Sequence, residues 1–281
     1  MHRTLRTVAV VLSLTTFALA CAAGQDSDAE YAARMAAEHE GDEPVAGAAA
    51  GDQAAGVATE EVAYWPGTEV EGYLARPAAG AARGGILVIQ EWWGLNDNIR
   101  TMARRFAEEG YVALAVDLYE GGVAETRDEA MALMGKATEQ PGRLEENLRA
   151  AHAYLRAAGV DSIGAVGWCF GGGWALRTAI LLGDELDAAV VYYGRVVTDD
   201  ELAAIGAPVL GHFGSEDGGI PIAGVRAFEA RMQDLGKEVT VYVYEGADHA
   251  FANPSGTRYD AAAAELAWDR TLDFFAAHVG S

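Results

Sequence analysis

Ser162-Ile-Gly-Ala-Val-Gly-Trp-Cys169-Phe-Gly-Gly-Gly-Trp174 is the stretch from which the rest of the chain can be read. Residues 162–168 form a short, apolar run of the kind buried on both faces of a parallel sheet. Gly167 and Gly171 bracket Cys169, and from Gly173 to Leu182 the residues take on helical character. A buried strand that turns sharply through glycines into a helix is one step of an alternating strand and helix architecture.

Working outward, the same rhythm recurs. Upstream, residues 85–90 (GILVIQ) and 111–116 (YVALAV) read as buried strands, with an edge strand at 72–76. Between them residues 98–109 space Ile99, Met102, Ala103 and Phe106 at helical intervals, and helices follow at 128–134 and 144–158. Downstream the reading gives strands at 188–193, 208–213 and 239–244, with helices at 199–205, 223–235 and 261–277. This predicts a doubly wound, mostly parallel sheet with helices on both faces, whose ligand sites lie at the carboxyl ends of the strands.

Cys169 stands where such a site would be. Gly167-Trp-Cys169-Phe-Gly171 has the form of the G-x-S-x-G nucleophile elbow with cysteine in the serine position. A thiol at a helix N-terminus is favoured as thiolate, its reactive form; the competing reading is a buried structural cysteine. An acid and a histidine are then expected, in that order, in loops after later strands. Phe213-Gly-Ser-Glu-Asp217 and Tyr244-Glu-Gly-Ala-Asp-His249 supply them. His249 would take and return the proton and Asp217 would set its tautomer, in preference to the neighbouring Glu216 and Asp248. His2, His39, His152, His212 and His278 lack this context and read as surface or packing residues.

Taken together, Gln90-Glu91-Trp92-Trp93-Gly94, Asp117-Leu-Tyr119, the elbow, Gly-Ser-Glu-Asp217 and Gly-Ala-Asp-His249-Ala-Phe resemble the dienelactone hydrolase family of α/β-hydrolases over residues 60–280. The resemblance implies a carboxylic ester hydrolase or lactonase, and a glutamate, here Glu91, that lies against the resting thiol and takes part in its activation. The fold implies an oxyanion hole from the backbone N–H groups of Trp92 and Phe170, with Trp93 beside it as a substrate contact. Members specific for dienelactones hold the substrate carboxylate with two arginines. Arg127 matches one; at the other position this chain has Asn253, which hydrogen-bonds but does not neutralise a carboxylate.

The chain's beginning is of another kind. Residues 1–20 carry basic residues and then an apolar run, the pattern of an export signal. Cys21 follows Ala18-Leu-Ala20, which resembles a bacterial lipobox and also fits ordinary signal cleavage; lipidation at Cys21 is the favoured reading. Residues 21–58, rich in Ala, Gly, Asp and Glu, read as a flexible acidic tether, with a transient helix at 28–40. Residues 59–281 form the catalytic domain. The expected location is the periplasm or cell exterior, with membrane attachment through the lipid alone.

Forty-two acidic against twenty basic residues, a net charge of −22, exclude a phosphate-backbone partner, so no nucleic acid is expected. The two cysteines, each separately explained, imply no disulfide framework. Neither a metal cluster nor a dinucleotide or Walker fingerprint is present in the sequence, so no metal or cofactor is expected. The anticipated partner is a small ester or lactone, met by a monomer. Alternatives are an esterase or thioesterase acting on a neutral substrate, and a tethered binding protein without catalysis.

Overall fold

The computed structural model describes residues 28–41 and 56–280. The signal segment 1–20 and Cys21 lie outside the described residues.

Eight strands form one sheet in the order β1-β2-β4-β3-β5-β6-β7-β8. These are β1 (Val57–Val62), β2 (Gly72–Pro77), β3 (Gly85–Ile89), β4 (Val112–Val116), β5 (Ile163–Trp168), β6 (Ala188–Tyr192), β7 (Val209–Gly214) and β8 (Val239–Tyr244). β1 and β2 pair antiparallel with each other, as do β2 and β4. Every other pair is parallel. The central β3, β5 and β6 are buried along their whole length, which explains their unbroken apolar sequences.

The described helices are α1 (Asp28–Glu38), α2 (Asp97–Glu108), α3 (Arg127–Thr138), α4 (Pro141–Ala157), α5 (Phe170–Leu182), α6 (Ile222–Asp234) and α7 (Ala261–His278). α2 buries Ile99, Met102, Ala103, Phe106 and Ala107, one stripe at helical spacing. Its first turn is capped by Asn96, whose side chain accepts from the N–H of Ile99, a device worth about 1 kcal/mol. Two glycines show which helices oppose each other across the sheet. A Cβ on Gly85 would meet Leu155 of α4, whereas one on Gly164, which pairs with Ile86, would meet Phe275 of α7. Because neighbouring residues of a strand face opposite sides, α4 and α7 cover opposite faces. α2 joins α7 on its side, with Phe106 at 4.7 Å from Trp268 and 5.8 Å from Phe275. Among the described residues no helix is long and apolar enough to cross a membrane.

Several expectations need correction. The edge strand is β1, and β2, expected there, lies second, between β1 and β4; the polar Thr59-Glu-Glu61 hid the outer strand. Residues 199–205, expected as an α-helix, contain a short 3-10 turn at Asp200–Ala204. The greatest departure concerns the tether. Residues 28–41 are a helix and turn seated on the sheet domain, with Met35 and His39 buried, and β1 begins at Val57.

Candidate active site

Every residue of the expected catalytic set lies just past the carboxyl end of a parallel strand. Glu91 and Trp92 follow β3, Cys169 follows β5, Asp217 follows β7 and His249 follows β8. Parallel pairing brings those ends to one rim of the sheet, which joins residues up to 158 positions apart.

Cys169 occupies the elbow with φ 54° and ψ −117°, a left-handed backbone that a side chain seldom tolerates. It persists because its surroundings admit no alternative. A Cβ on Gly167 would strike the carbonyl of Gly171, and one on Gly171 would strike the carbonyls of Ile89 and Gln90. The elbow glycines are therefore required by the close packing of β5, α5 and β3. Phe170 is the first residue of α5, so its N–H has no intrahelical acceptor.

His249 and Asp217 are both fully shielded, with Nδ1 of the imidazole 2.8 Å from Oδ2 of the carboxylate. A carboxylate only accepts, so the Nδ1–H donates and Nε2 is left for the thiol side. The N–H of Ile220 donates to the other oxygen of Asp217 at 2.7 Å, holding the carboxylate in place. Asp248 is occupied elsewhere, accepting from the N–H of His249 itself at 2.6 Å, and Glu216 accepts from Ser215 at 3.2 Å. The loops are tied together by further motif residues. Gln90 accepts from the N–H of Leu118, and Asp117 accepts from the N–H groups of Tyr119 and Gly121.

The electrostatics favour an ion pair. Burial pushes the Cys169 thiol up, but His249 and then His39 outweigh it and bring the group down to about 6. Burial likewise opposes a charged His249, and the charges of Cys169 and Asp217 overturn it, so the imidazole is raised well above its usual range. A thiolate beside an imidazolium is the state that an attack on a carbonyl requires.

Of the remaining expected residues, Glu91 is buried and accepts from Nδ2 of Asn253 at 2.6 Å, so these two side chains meet. Trp92 and Trp93 are buried and their rings meet at a tilt of 54°, 4.6 Å between centroids. Arg127 points its guanidinium at the end of α1, donating to the carbonyls of Ala36 and His39 at 2.7 and 3.0 Å.

Two residues escaped the sequence reading. His39, assigned there to a tether, is buried with Nε2 3.7 Å from Sγ of Cys169. Arg258 donates to the carbonyls of His249 and Glu38, at 3.0 and 2.6 Å, and lies 3.5 Å from Nδ1 of His39. Nothing in the composition of residues 21–58 marks His39. Arg258 had a signal: a cation in the loop after His249, where Asn253 supplies none. The donor atoms of His39, Cys169 and His249 lie within 4.8 Å of one another, a nitrogen, sulfur and nitrogen set suited to a thiophilic cation such as Zn²⁺.

Comparisons with known proteins identify the family. The family model described as "Dienelactone hydrolase family" matches residues 70–279. The chain belongs to the dienelactone hydrolase family. Within that family it is a carboxylic ester hydrolase of the carboxymethylenebutenolidase-like type. Protein usf of Aquifex pyrophilus is 34% identical over 218 residues, covering 74% of this chain and 94% of its own. A Saccharolobus solfataricus relative with the provisional name carboxymethylenebutenolidase is 30% identical, with the same coverage of each chain. A crystal structure from Klebsiella pneumoniae subsp. pneumoniae MGH 78578, provisionally named a dienelactone hydrolase, superposes with a TM-score of 0.72 at 27% identity. It covers 78% of this chain and 98% of that one.

Proposed function

We propose that this dienelactone hydrolase family member cleaves a lactone or small carboxylic ester through Cys169, His249 and Asp217, with a thioester acyl-enzyme. The observation that carries the proposal is the shielded 2.8 Å contact between His249 and Asp217, in loops that converge on a cysteine held in a strained elbow.

In the first half-reaction the Cys169 thiolate attacks the carbonyl carbon, and the oxyanion is held by the N–H groups of Trp92 and Phe170. Collapse breaks the carbon–oxygen bond, and His249 delivers its proton to the departing alkoxide, leaving a thioester. In a lactone the freed hydroxyl remains attached to the acyl group. His249, now neutral, removes a proton from water, whose oxygen attacks the thioester. The acid departs and the thiolate–imidazolium pair is restored. Asp217 keeps Nδ1 protonated throughout. Asn253, in place of an arginine, favours substrates with less negative charge near Glu91. A cavity of about 440 Å³, lined by Tyr31, Phe170, Trp174 and Arg195, offers room for the acyl or alcohol part.

The test compares the protein and Cys169→Ala on a dienelactone, a neutral lactone, p-nitrophenyl acetate and an acyl-thioester. Hydrolysis of at least one by the wild type, with an acyl adduct on Cys169 in quenched samples, is expected; equal rates in both proteins would refute the reading. The same proposal includes export and attachment through a lipidated Cys21, motivated by the apolar leader ending at that cysteine. Mass measurement of the native N-terminus decides it: an unlipidated terminus would refute attachment.

A further inference from the structure

Residues 28–41 are fastened to the rim of the sheet by more than apolar contact. The C-terminal end of α1 carries carbonyls without intrahelical partners and the negative end of the helix dipole. Two guanidiniums meet it there: Arg127 on the carbonyls of Ala36 and His39, and Arg258 on that of Glu38. Met35 is buried against Gly219 in the loop that carries Asp217. These anchors drive His39 into the site, where its ring stacks on Trp92 at 4.0 Å and 23° and presents an edge to His249 at 5.1 Å.

The tautomer of His39 follows from its neighbours. Nδ1 faces Nη2 of Arg258 at 3.5 Å, and a guanidinium only donates, so Nδ1 is the acceptor. The proton of a neutral ring then resides on Nε2, which lies 3.7 Å from Sγ of Cys169, within reach of a sulfur hydrogen bond. Cys169 itself is buried with α1 in place, and Tyr31, on the same helix, helps to line a cavity that also borders Phe170 and Trp174.

From this geometry we infer that His39 is a working residue of the nucleophile's site, donating its Nε2–H to the Cys169 thiolate and holding it ready. The catalytic unit therefore begins with α1 and includes a segment whose composition suggests a tether. The inference rests on the proposed cysteine nucleophile. It requires no transfer of the His39 proton, since the ring acts as a fixed donor while His249 performs the proton transfers.

The experiment uses the full chain, His39→Ala and His39→Gln, the latter retaining an N–H donor. Iodoacetamide alkylation of Cys169 is followed against pH by peptide mass spectrometry, without substrate. The midpoint should move up by about one pH unit in His39→Ala and return part of the way in His39→Gln. On p-nitrophenyl acetate near neutral pH, kcat/KM should fall about tenfold in His39→Ala, chiefly through kcat. An unchanged alkylation profile overturns the inference. So does faster alkylation and faster hydrolysis in His39→Ala, which would make α1 a plug. If no ester is hydrolysed by the wild type while the alkylation midpoint still shifts, the proposed function fails and the role of His39 stands.

Discussion

His249 and His212 are both completely buried, yet they are held in opposite charge states. His249 sits past the end of β8 between a carboxylate and a thiolate, and their charges overcome the cost of burial. His212 lies within β7, and its ring nitrogens meet hydroxyls, Tyr244 at 2.8 Å and Thr271 at 3.1 Å. Burial first, and Arg270 second, push its imidazole down to about 3. Burial alone always disfavours the imidazolium, so the sign of a buried histidine's shift is decided by whether anions reach it. The strands place one histidine where loops bring anions and the other where β8 and α7 bring hydroxyls and a cation.

Breaking each side of this comparison should produce different losses. His249→Asn removes the proton carrier and should lower kcat on an ester substrate by about 10³–10⁴-fold, seen in steady-state rates. Asp217→Asn should follow with about 10²–10⁴-fold, because the imidazole loses the partner that selects its tautomer. His212→Ala should leave kcat within about threefold. It should cost about 2–4 kcal/mol in urea unfolding, through the cavity and the hydrogen bonds that Tyr244 and Thr271 lose.

pH sharpens the contrast. The Cys169 group is lowered, so the thiolate persists above about 6 and is lost as pH falls through that value. kcat/KM should then decline about tenfold per unit on the acid side. His212 acts on stability instead. Its folded-state value lies below its ordinary 6.5, so the unfolded chain takes up a proton first. This histidine's contribution should lower stability as pH falls from about 6.5 towards 3, and His212→Leu should flatten that slope in urea titrations. The smallest expected effect concerns the third imidazole. Zn²⁺ should inhibit wild type reversibly, EDTA should restore activity, and His39→Ala should weaken the inhibition about threefold, since two of three donors remain. Equal sensitivity of both proteins would remove His39 from the donor set.

The legible part of the molecule was local in character. The alternating strands, the glycines around Cys169 and the acid and histidine after later strands all announce themselves within a few residues. Each is the solution to a short-range constraint: period, turn geometry, or a side chain at a strand end. The outer strand β1 was less readable because an edge strand, half solvated, needs no apolar run. Asp217 could be preferred over Asp248 from position in the loop, but only geometry shows Asp248 spent on the backbone of His249.

By itself, then, the sequence determined the layered fold, the family, and the cysteine, aspartate and histidine that meet on the sheet's rim. Tertiary structure alone decided that residues 28–41 belong to that rim and that His39 reaches Cys169. The reason is physical. A short helix with few large apolar residues has no stability to advertise in its own composition. Its order comes from distant partners, among them Arg127 and Arg258, 91 and 220 residues away from the carbonyls they hold.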